Sequence, residues 1–210
     1  MTVRATPDGV VVPMPGEQGR PVARLCFDNG LEHVNLRADA DMTDLMEATF
    51  TGFRPDVWAY GRNVHVEYPR RLPLPRRSRR AAVRINANVP WALDVHGGAA
   101  HLDADLTGAA VRSVAIHSGA AHVRLVLGRP DAPRTVRLAS VRDLVIERPA
   151  GVPVRLEIAG GATKIALDDR RFGAVGGGLA DWTPGARTAP PYSVVIAGGA
   201  AGVTVKESTR

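Results

Sequence analysis

Two segments of the chain repeat one pattern around a glycine-rich corner. Residues 93–103 read LDVHGGAAHLD, and residues 115–125 read AIHSGAAHVRL. The Gly-Ala-Ala-His of the second segment follows that of the first by 21 residues. Further copies, one of them degenerate, lie at 138–146, 158–167 and 196–205. Self-similarity at a fixed period is typical of stacked repeats, so the sequence predicts units of about 21 residues.

Each copy is interpreted as two short strands joined by a corner of small residues, because apolar and polar residues alternate on both sides of the glycines. Alternation places eight apolar residues on one inward face: Val95, Leu102, Val123, Leu125, Ile165, Leu167, Val203 and Val205. Glycine lets neighbouring corners stack closely, and a two-strand unit cannot bury its apolar face alone. We therefore predict an all-β fold, a β-helix-like β-solenoid with coils of about 21 residues and Gly-Gly-Ala corners.

The N-terminal half contains weaker versions of the same unit. Residues 24–36 place an Asn29-Gly30 turn between alternating strands, and residues 57–68 repeat the arrangement. Residues 41–48, between them, are compatible with a helical turn or an edge strand. The predicted organisation is a flexible N-terminal tail (1–20), one solenoid half (21–68), an arginine and proline connector (69–80) and a second half (81–206), with both halves in one continuous domain.

The repeats resemble a known group of proteins. The Gly-Gly-Ala corners and the segments 149–156 (PAGVPVRL) and 167–177 (LDDRRFGAVGG) are similar to those of uncharacterised actinobacterial proteins of the toast-rack or putative-adhesin type. That group is related to the C-terminal domain of cell-envelope stress regulators. Residues 44–69 resemble the same group, so the similarity covers about residues 20–206. The resemblance implies a β-solenoid without an established activity, and it supplies no catalytic residue.

Composition narrows the class of protein further. Aromatic residues make up 5% of the chain, which has 22 glycines and 16 prolines, so a long helical bundle is excluded. The first residues show no apolar run typical of a secretion signal, and no window is apolar enough to cross a membrane. The single cysteine, Cys26, cannot form an internal disulfide, which favours a reducing compartment. We therefore expect a cytoplasmic protein.

The net charge of +6 comes from one segment. Residues 69–80 hold no acid and six arginines, namely Arg70, Arg71, Arg76, Arg77, Arg79 and Arg80. These side chains could bind phosphates or an acidic partner with a salt-sensitive affinity. The segment has no aromatic side chain on which a base could stack, and its prolines favour a stiff, exposed connector. Nucleic-acid binding is therefore the less favoured interpretation.

Four histidines flank the two clearest corners: His96, His101, His117 and His122. The 21-residue offset should stack them in pairs that point outward at about the strand spacing. Imidazole nitrogens there could bind Zn²⁺ or a similar metal, with Asp94 or Asp103 assisting. The favoured interpretation is a polar ladder produced by the repeat, so no cofactor is predicted.

Motifs for catalysis are missing from the sequence, which has neither a Gly-x-Ser-x-Gly elbow nor a Gly-Lys-Ser/Thr phosphate loop. Cys26 near His33 could form a nucleophile pair but has no third group to orient it. Asp168 and Asp169 precede two arginines, as in a charged turn. We therefore expect a protein without enzymatic activity.

The function predicted from these observations is that of a non-catalytic scaffold or interaction protein. Stacked coils leave open strand edges at each end, and such edges must be capped or paired with another chain. The short terminal segments are poor caps for a wide rod, so we expect a homo-oligomer, with room for a further protein partner. One alternative is a metal-binding protein or metal-dependent enzyme that uses the four histidines. The other is a protein that binds nucleic acid or an acidic partner through the arginine segment.

Overall fold

The structure, a computed structural model, describes residues 2–16, 22–69, 79–184 and 188–209. These residues form one eighteen-stranded sheet and contain no α-helix, so the all-β prediction is confirmed. The strands are β1 (Arg4–Ala5), β2 (Gly9–Val12), β3 (Ala23–Phe27), β4 (Leu31–Asp39), β5 (Met46–Gly52), β6 (Asp56–Tyr60), β7 (Asn63–Glu67), β8 (Arg79–Asn86), β9 (Trp91–Val95), β10 (Ala99–Leu106), β11 (Val111–Leu127), β12 (Arg134–Arg148), β13 (Val154–Ile158), β14 (Ala162–Leu167), β15 (Arg170–Phe172), β16 (Leu179–Trp182), β17 (Tyr192–Ile196) and β18 (Ala200–Glu207).

The sheet consists of two ladders of strands that share β11 and β12, the two longest strands. The first ladder runs, in spatial order, β6-β7-β3-β9-β11-β12-β17-β13-β16. The second runs β1-β2-β5-β8-β4-β10-β11-β12-β18-β14-β15. Pairs in the middle of each ladder are parallel, and pairs towards the ends are antiparallel.

The repeat period sets the register in the middle of the second ladder. Leu102 on β10 pairs with Val123 on β11, which pairs with Leu144 on β12, so each step is 21 residues. Parallel pairing at this offset brings equivalent residues of successive copies side by side. Alternation along each strand then sends equivalent side chains to the same face.

The order of the strands departs from their order in the chain at both ends. The unit formed by β3 and β4 lies between β7/β8 and β9/β10. The unit formed by β17 and β18 lies between β12 and β13/β14. In a simple solenoid, each coil stacks on the coil that precedes it in the chain. The β3/β4 and β17/β18 units depart from that arrangement, because each of them lies between two other units. The sequence could not indicate them, because the inward faces of the copies are chemically alike.

The core is a single cluster of apolar side chains from both ladders. All eight residues predicted to face inward are at most 1% exposed. Burying a valine or leucine side chain contributes about 1.5–3 kcal/mol, so the inward alternation is the main source of stability. Aromatic side chains add little to this core, and valine, leucine and isoleucine fill most of it.

Glycine is required at the first corner position of two copies, Gly97 and Gly160, because two backbones meet there. A Cβ on Gly97 would lie 2.4 Å from the backbone nitrogen of Gly30 in the adjacent unit. A Cβ on Gly160 would lie 2.7 Å from the carbonyl carbon of Gly198. Both distances are far below van der Waals contact, so the corners stack only where this side chain is absent.

Segments predicted to be loops or connectors contribute strands at the sheet's ends. The predicted flexible tail (1–20) includes β1 and β2, and Val12 on β2 is fully buried. Within residues 41–48, interpreted as a helical turn or an edge strand, the structure places the start of strand β5, which has β2 and β8 as neighbours. Arg79 and Arg80, assigned to the connector, are the first two residues of β8. Each of these segments gains backbone partners that local sequence patterns cannot show.

Candidate functional site

The histidines form two columns of stacked imidazole rings on the outside of the sheet. In the short column, His96 and His117 have centroids 4.8 Å apart and planes 6° apart. In the long column, His101 lies 4.4 Å from His33 and 4.7 Å from His122, with interplanar angles of 5° and 18°. The pairs expected from the 21-residue offset are therefore stacked, and His33 extends one of them.

Sequence reasoning missed His33 as a member of the long column. The signal was present, because His33 lies three residues after Gly30, as His101 does after Gly98 and His122 after Gly119. The parallel pairing of β4 with β10 places His33 directly opposite His101. Residues 24–36 were recognised as a weaker copy of the unit, but His33 was not aligned with His101 and His122.

Charged residues stand at both ends of the long column. On β11, Nδ1 of His122 lies 3.2 Å from Oδ2 of Asp143 on β12, and both residues have positive φ, 49° and 58°. At the other end, Arg80 on β8 is the backbone partner of His33. Desolvation and the two neighbouring imidazoles lower the pKa of His101. The lowered pKa of His101 favours the neutral form of the middle ring.

The short column borders a buried carboxylate. Asp94 is 6% exposed, forms an ion pair with Arg24 across the β3–β9 pair, and has Oδ1 3.7 Å from Nε2 of His117. Arg24 therefore compensates the charge of the Asp94 carboxylate, and a buried charge needs such a partner. Asp94 contributes a structural ion pair here, and His96 and His117 stay largely exposed above it.

The observed ring geometry differs from that of a metal centre. Nearly parallel rings direct their nitrogen lone pairs along nearly parallel lines, whereas ligands of zinc converge on one point at about 2.0–2.1 Å. Across the described ranges, no group of three or more His, Cys, Asp or Glu residues is arranged to hold a metal ion. Metal binding by His96, His101, His117 and His122 stays a prediction.

A polar trough with a volume of about 510 Å³ lies on the outer face of the second ladder. It crosses β5, β8, β4, β10 and β11, and the long column forms part of its wall. Its other polar and charged lining residues are Asn35, Thr49, Thr51, Arg80, Asp103 and Arg124. The Asp103 carboxylate contacts Arg37 and Arg124 at 3.0 Å each, and Arg124 also contacts Glu147 at 3.1 Å. Arg37 also lies 3.6 Å from Asp105, so the two arginines are shared among three carboxylates, those of Asp103, Asp105 and Glu147.

The arginine segment falls mostly outside the described residues, which exclude Arg70, Arg71, Arg76 and Arg77. The backbone N–H of Arg79 donates to Glu32, and its guanidinium lies 5.6 Å from the ring centroid of Tyr68. Arg80 lines the polar trough. Anion binding by the whole segment stays a prediction.

Cys26 and Asp168, which the sequence offered as candidate catalytic residues, make contacts that stabilise the fold. Cys26 is buried, and burial together with Asp94 and Asp28 raises the pKa of its thiol to about 11, which keeps it protonated. Cys26 lies opposite His65, whereas His33 is in the other ladder. Asp168 accepts a hydrogen bond of 2.6 Å from Arg148, a side chain that is 2% exposed. The Cys26 thiol is therefore shielded from solvent, and the Asp168 carboxylate is held in an ion pair with Arg148.

An aromatic pair on the edge strand β6 was also missed. Trp58 is 46% exposed and Tyr60 is 80% exposed, and both point away from the core. The Trp58 ring stacks on His65 with centroids 3.7 Å apart, and Asp28 holds His65 at 2.8 Å. The strand has one neighbour, β7, among the residues with described positions. This strand therefore combines an open backbone edge with exposed aromatic rings.

Comparison with known proteins finds a likeness of fold. No protein-family model matches the chain, and no curated protein matches it in sequence. A crystal structure at 1.95 Å resolution, described as a putative cell adhesion protein from Clostridium sporogenes ATCC 15579, matches with a TM-score of 0.64. The match covers 94% of this chain and 97% of that chain at 13% identity, so it shows a shared fold. In the described part of this chain, no helix has the length and apolar character of a membrane span.

Proposed function

We propose that the protein is a non-catalytic β-solenoid of the toast-rack type that acts as an interaction module and self-associates through strand β6. The observation that carries this proposal is the exposure of Trp58 and Tyr60 on an edge strand. Unpaired backbone groups at an edge are a template for another strand, and aromatic side chains are enriched at protein interfaces.

Strand β6 is the least protected of the four strands that have a single neighbour within the described ranges. Strand β1 has only two residues, and β15 has three, two of them exposed arginines. Strand β16 includes Asp181, which forms an ion pair with Arg170. Short edges and edge charges discourage pairing, whereas β6 has five residues, no proline and Asp56 as its only charge. The first ladder is therefore best extended at β6.

Two copies would pair by antiparallel contact of β6 with β6. Such a contact is isologous, since each copy supplies the same strand and the pair closes as a two-fold dimer. The exposed rings of Trp58 and Tyr60 would then lie beside those of the second copy. Closure at one edge leaves the polar trough of the second ladder outside the interface.

Light scattering coupled to size exclusion, over a series of protein concentrations, tests the proposal. The unaltered chain should dimerise, and Trp58→Lys should shift it to a monomer because a lysine on an edge strand disfavours pairing. Thr163→Lys is the matched control, since Thr163 is exposed on β14, which has neighbours on both sides. A strict monomer at high concentration, or a dimer unaffected by Trp58→Lys, would contradict the proposal.

A further inference from the structure

A second trough, with a volume of about 420 Å³, lies on the outer face of the first ladder over strands β9, β11 and β12. We propose that this Arg137 trough binds a small organic phosphate monoester, with the phosphate group seated on the Arg137 guanidinium. The site lies apart from the edge used for self-association, because β12 and β6 are separated by five strand spacings, roughly 24 Å. The two proposals can therefore fail independently.

Small side chains open the Arg137 trough between larger ones. Ala115 on β11 lies between Asp94 on β9 and Arg137 on β12, and alternation places all three on the outer face. Ala139 and Ala197 line the same depression. The alanine methyl groups leave room for a ligand beside Arg137 and offer its carbon skeleton an apolar surface. The volume of the trough is within the range of small-molecule sites.

The charge of the Arg137 trough favours an anion. The Arg137 side chain is exposed, and within the ranges that the structure describes it has neither an ion pair nor a side-chain hydrogen bond. The one carboxylate in the lining belongs to Asp94, which forms its ion pair with Arg24. Two arginines and one carboxylate therefore line the trough, which leaves one excess positive charge.

Acids near β12 have arginine partners of their own. Glu157 on β13, two strands from Arg137, forms an ion pair with Arg155. Asp131, which lies just before β12, forms an ion pair with Arg134. The charge of Arg137 is therefore not shared with these two carboxylates.

The other donors of the trough favour a phosphate over a carboxylate. The hydroxyls of Ser113 and Thr135 lie side by side on β11 and β12, and within the described part of the chain neither has a hydrogen-bond partner. His117 lines the opposite side of the depression, two residues beyond Ala115. A guanidinium satisfies both oxygens of a carboxylate by itself, whereas a phosphate group has a third terminal oxygen to accept from further donors. Donors on three sides therefore match a phosphate monoester.

An NMR titration of the isotope-labelled full chain with phenyl phosphate at pH 7.5 tests this inference. Backbone amide signals of β11 and β12 should shift saturably. Phenol, which lacks the phosphate, should cause no such shift, and benzoate, which presents a carboxylate, should bind more weakly. Benzoate binding as tightly as phenyl phosphate would overturn the phosphate assignment, and inorganic phosphate binding as tightly would overturn the organic part of the ligand.

Variants make the experiment specific to the Arg137 trough. Arg137→Gln should weaken phenyl phosphate binding about tenfold or more, because it removes the charged donors. Arg142→Gln is the matched control: Arg142 is exposed on the same strand and has no ion pair among the described residues, but it lies outside the trough.

Trp58→Lys separates this inference from the dimer proposal, since this variant should bind phenyl phosphate like the unaltered chain whatever its oligomeric state. Unchanged binding by Arg137→Gln, equal losses in the two arginine variants, or no saturable shift with the unaltered chain would overturn the proposal.

Discussion

At the scale of single residues, small differences between similar corner residues decide what each corner can do. Gly97 and Gly119 occupy corners of neighbouring units, yet only Gly97 meets the backbone of another unit at close range. Likewise, His101 and His117 are both exposed and stacked, but His101 has a ring on each side and His117 on one. Residues of the same type in neighbouring corners therefore serve as controls for one another.

A methyl group at Gly97 should destabilise the fold. Gly97→Ala places a Cβ 2.4 Å from the Gly30 nitrogen, and relieving that clash costs about 1–3 kcal/mol of the free energy of unfolding. Gly119→Ala is the control, because the nearest atom to its Cβ is Oγ of Ser140 at 3.6 Å, and its effect should stay within about 0.5 kcal/mol. Urea denaturation measures both, and equal stability of the two variants would show that the corners do not meet closely.

The stability of the fold should fall as histidine titrates. The folded protein holds the pKa of His101 below its ordinary value, so the unfolded chain binds a proton more readily. The stabilising contribution is therefore complete above about pH 6.5 and is lost as the pH falls below that value. His101→Gln should reduce the drop in melting temperature between pH 7.5 and pH 5.5. The prediction fails if the His117→Gln control reduces that drop equally.

At the scale of elements, removing a parallel strand from the middle of a ladder should cost more stability than removing an antiparallel strand from its end. The unit β17/β18 is last in the chain but lies inside both ladders, with β12 on one side and β13/β14 on the other. Strand β1, by contrast, pairs only with β2 among the described strands. Position in the ladder, and not position in the chain, therefore determines the cost of losing a strand.

Truncation tests this difference between internal and edge strands. A chain that ends at Pro191 lacks β17 and β18, which leaves β12 with β11 as its one neighbour, separates β13 and β14 from the rest of the sheet, and removes core residues such as Val194 and Val203. We expect this chain to lose its cooperative thermal transition in circular dichroism. A chain that begins at Thr6 lacks only β1 and should keep the transition. A cooperative transition in the first chain would argue against the internal placement of β17/β18.

At the scale of the whole molecule, the fold resolves the problem of open ends in part. Within the described residues, antiparallel strands form the ends of both ladders, including β1 and β2 from the segment predicted to be a flexible tail, and the outermost strand at each end has one neighbour. The expectation that the short terminal segments are poor caps therefore needs one change, because β1 and β2 of the N-terminal segment extend the second ladder, and self-association stays a prediction. The proposal of self-association therefore rests on a narrower observation, the exposed aromatic side chains on the edge strand β6. The likeness to the clostridial protein concerns the fold alone.

The inward residues and the stacked histidine pairs could be predicted from the sequence, because alternation and a 21-residue offset depend only on local geometry. His33 and the polar trough could not, because β4, β5, β8 and β10 are brought together by pairings between distant segments. Trp58 and Tyr60 alternate with more buried residues, as outward-facing residues do in any strand of the sheet. The sequence alone therefore did not show that their strand is an edge.

The sequence by itself determined which face of each strand is buried, where the corners need glycine, and that the repeats pair at a 21-residue offset, because each of these follows from side chains a few residues apart. Only the tertiary structure decided the order of the units, the third ring of the long column and the identity of the edge strands. The physical reason is that the repeated copies present similar apolar faces. Their periodicity therefore sets which residues can meet, and the packing of the whole chain selects which of them do.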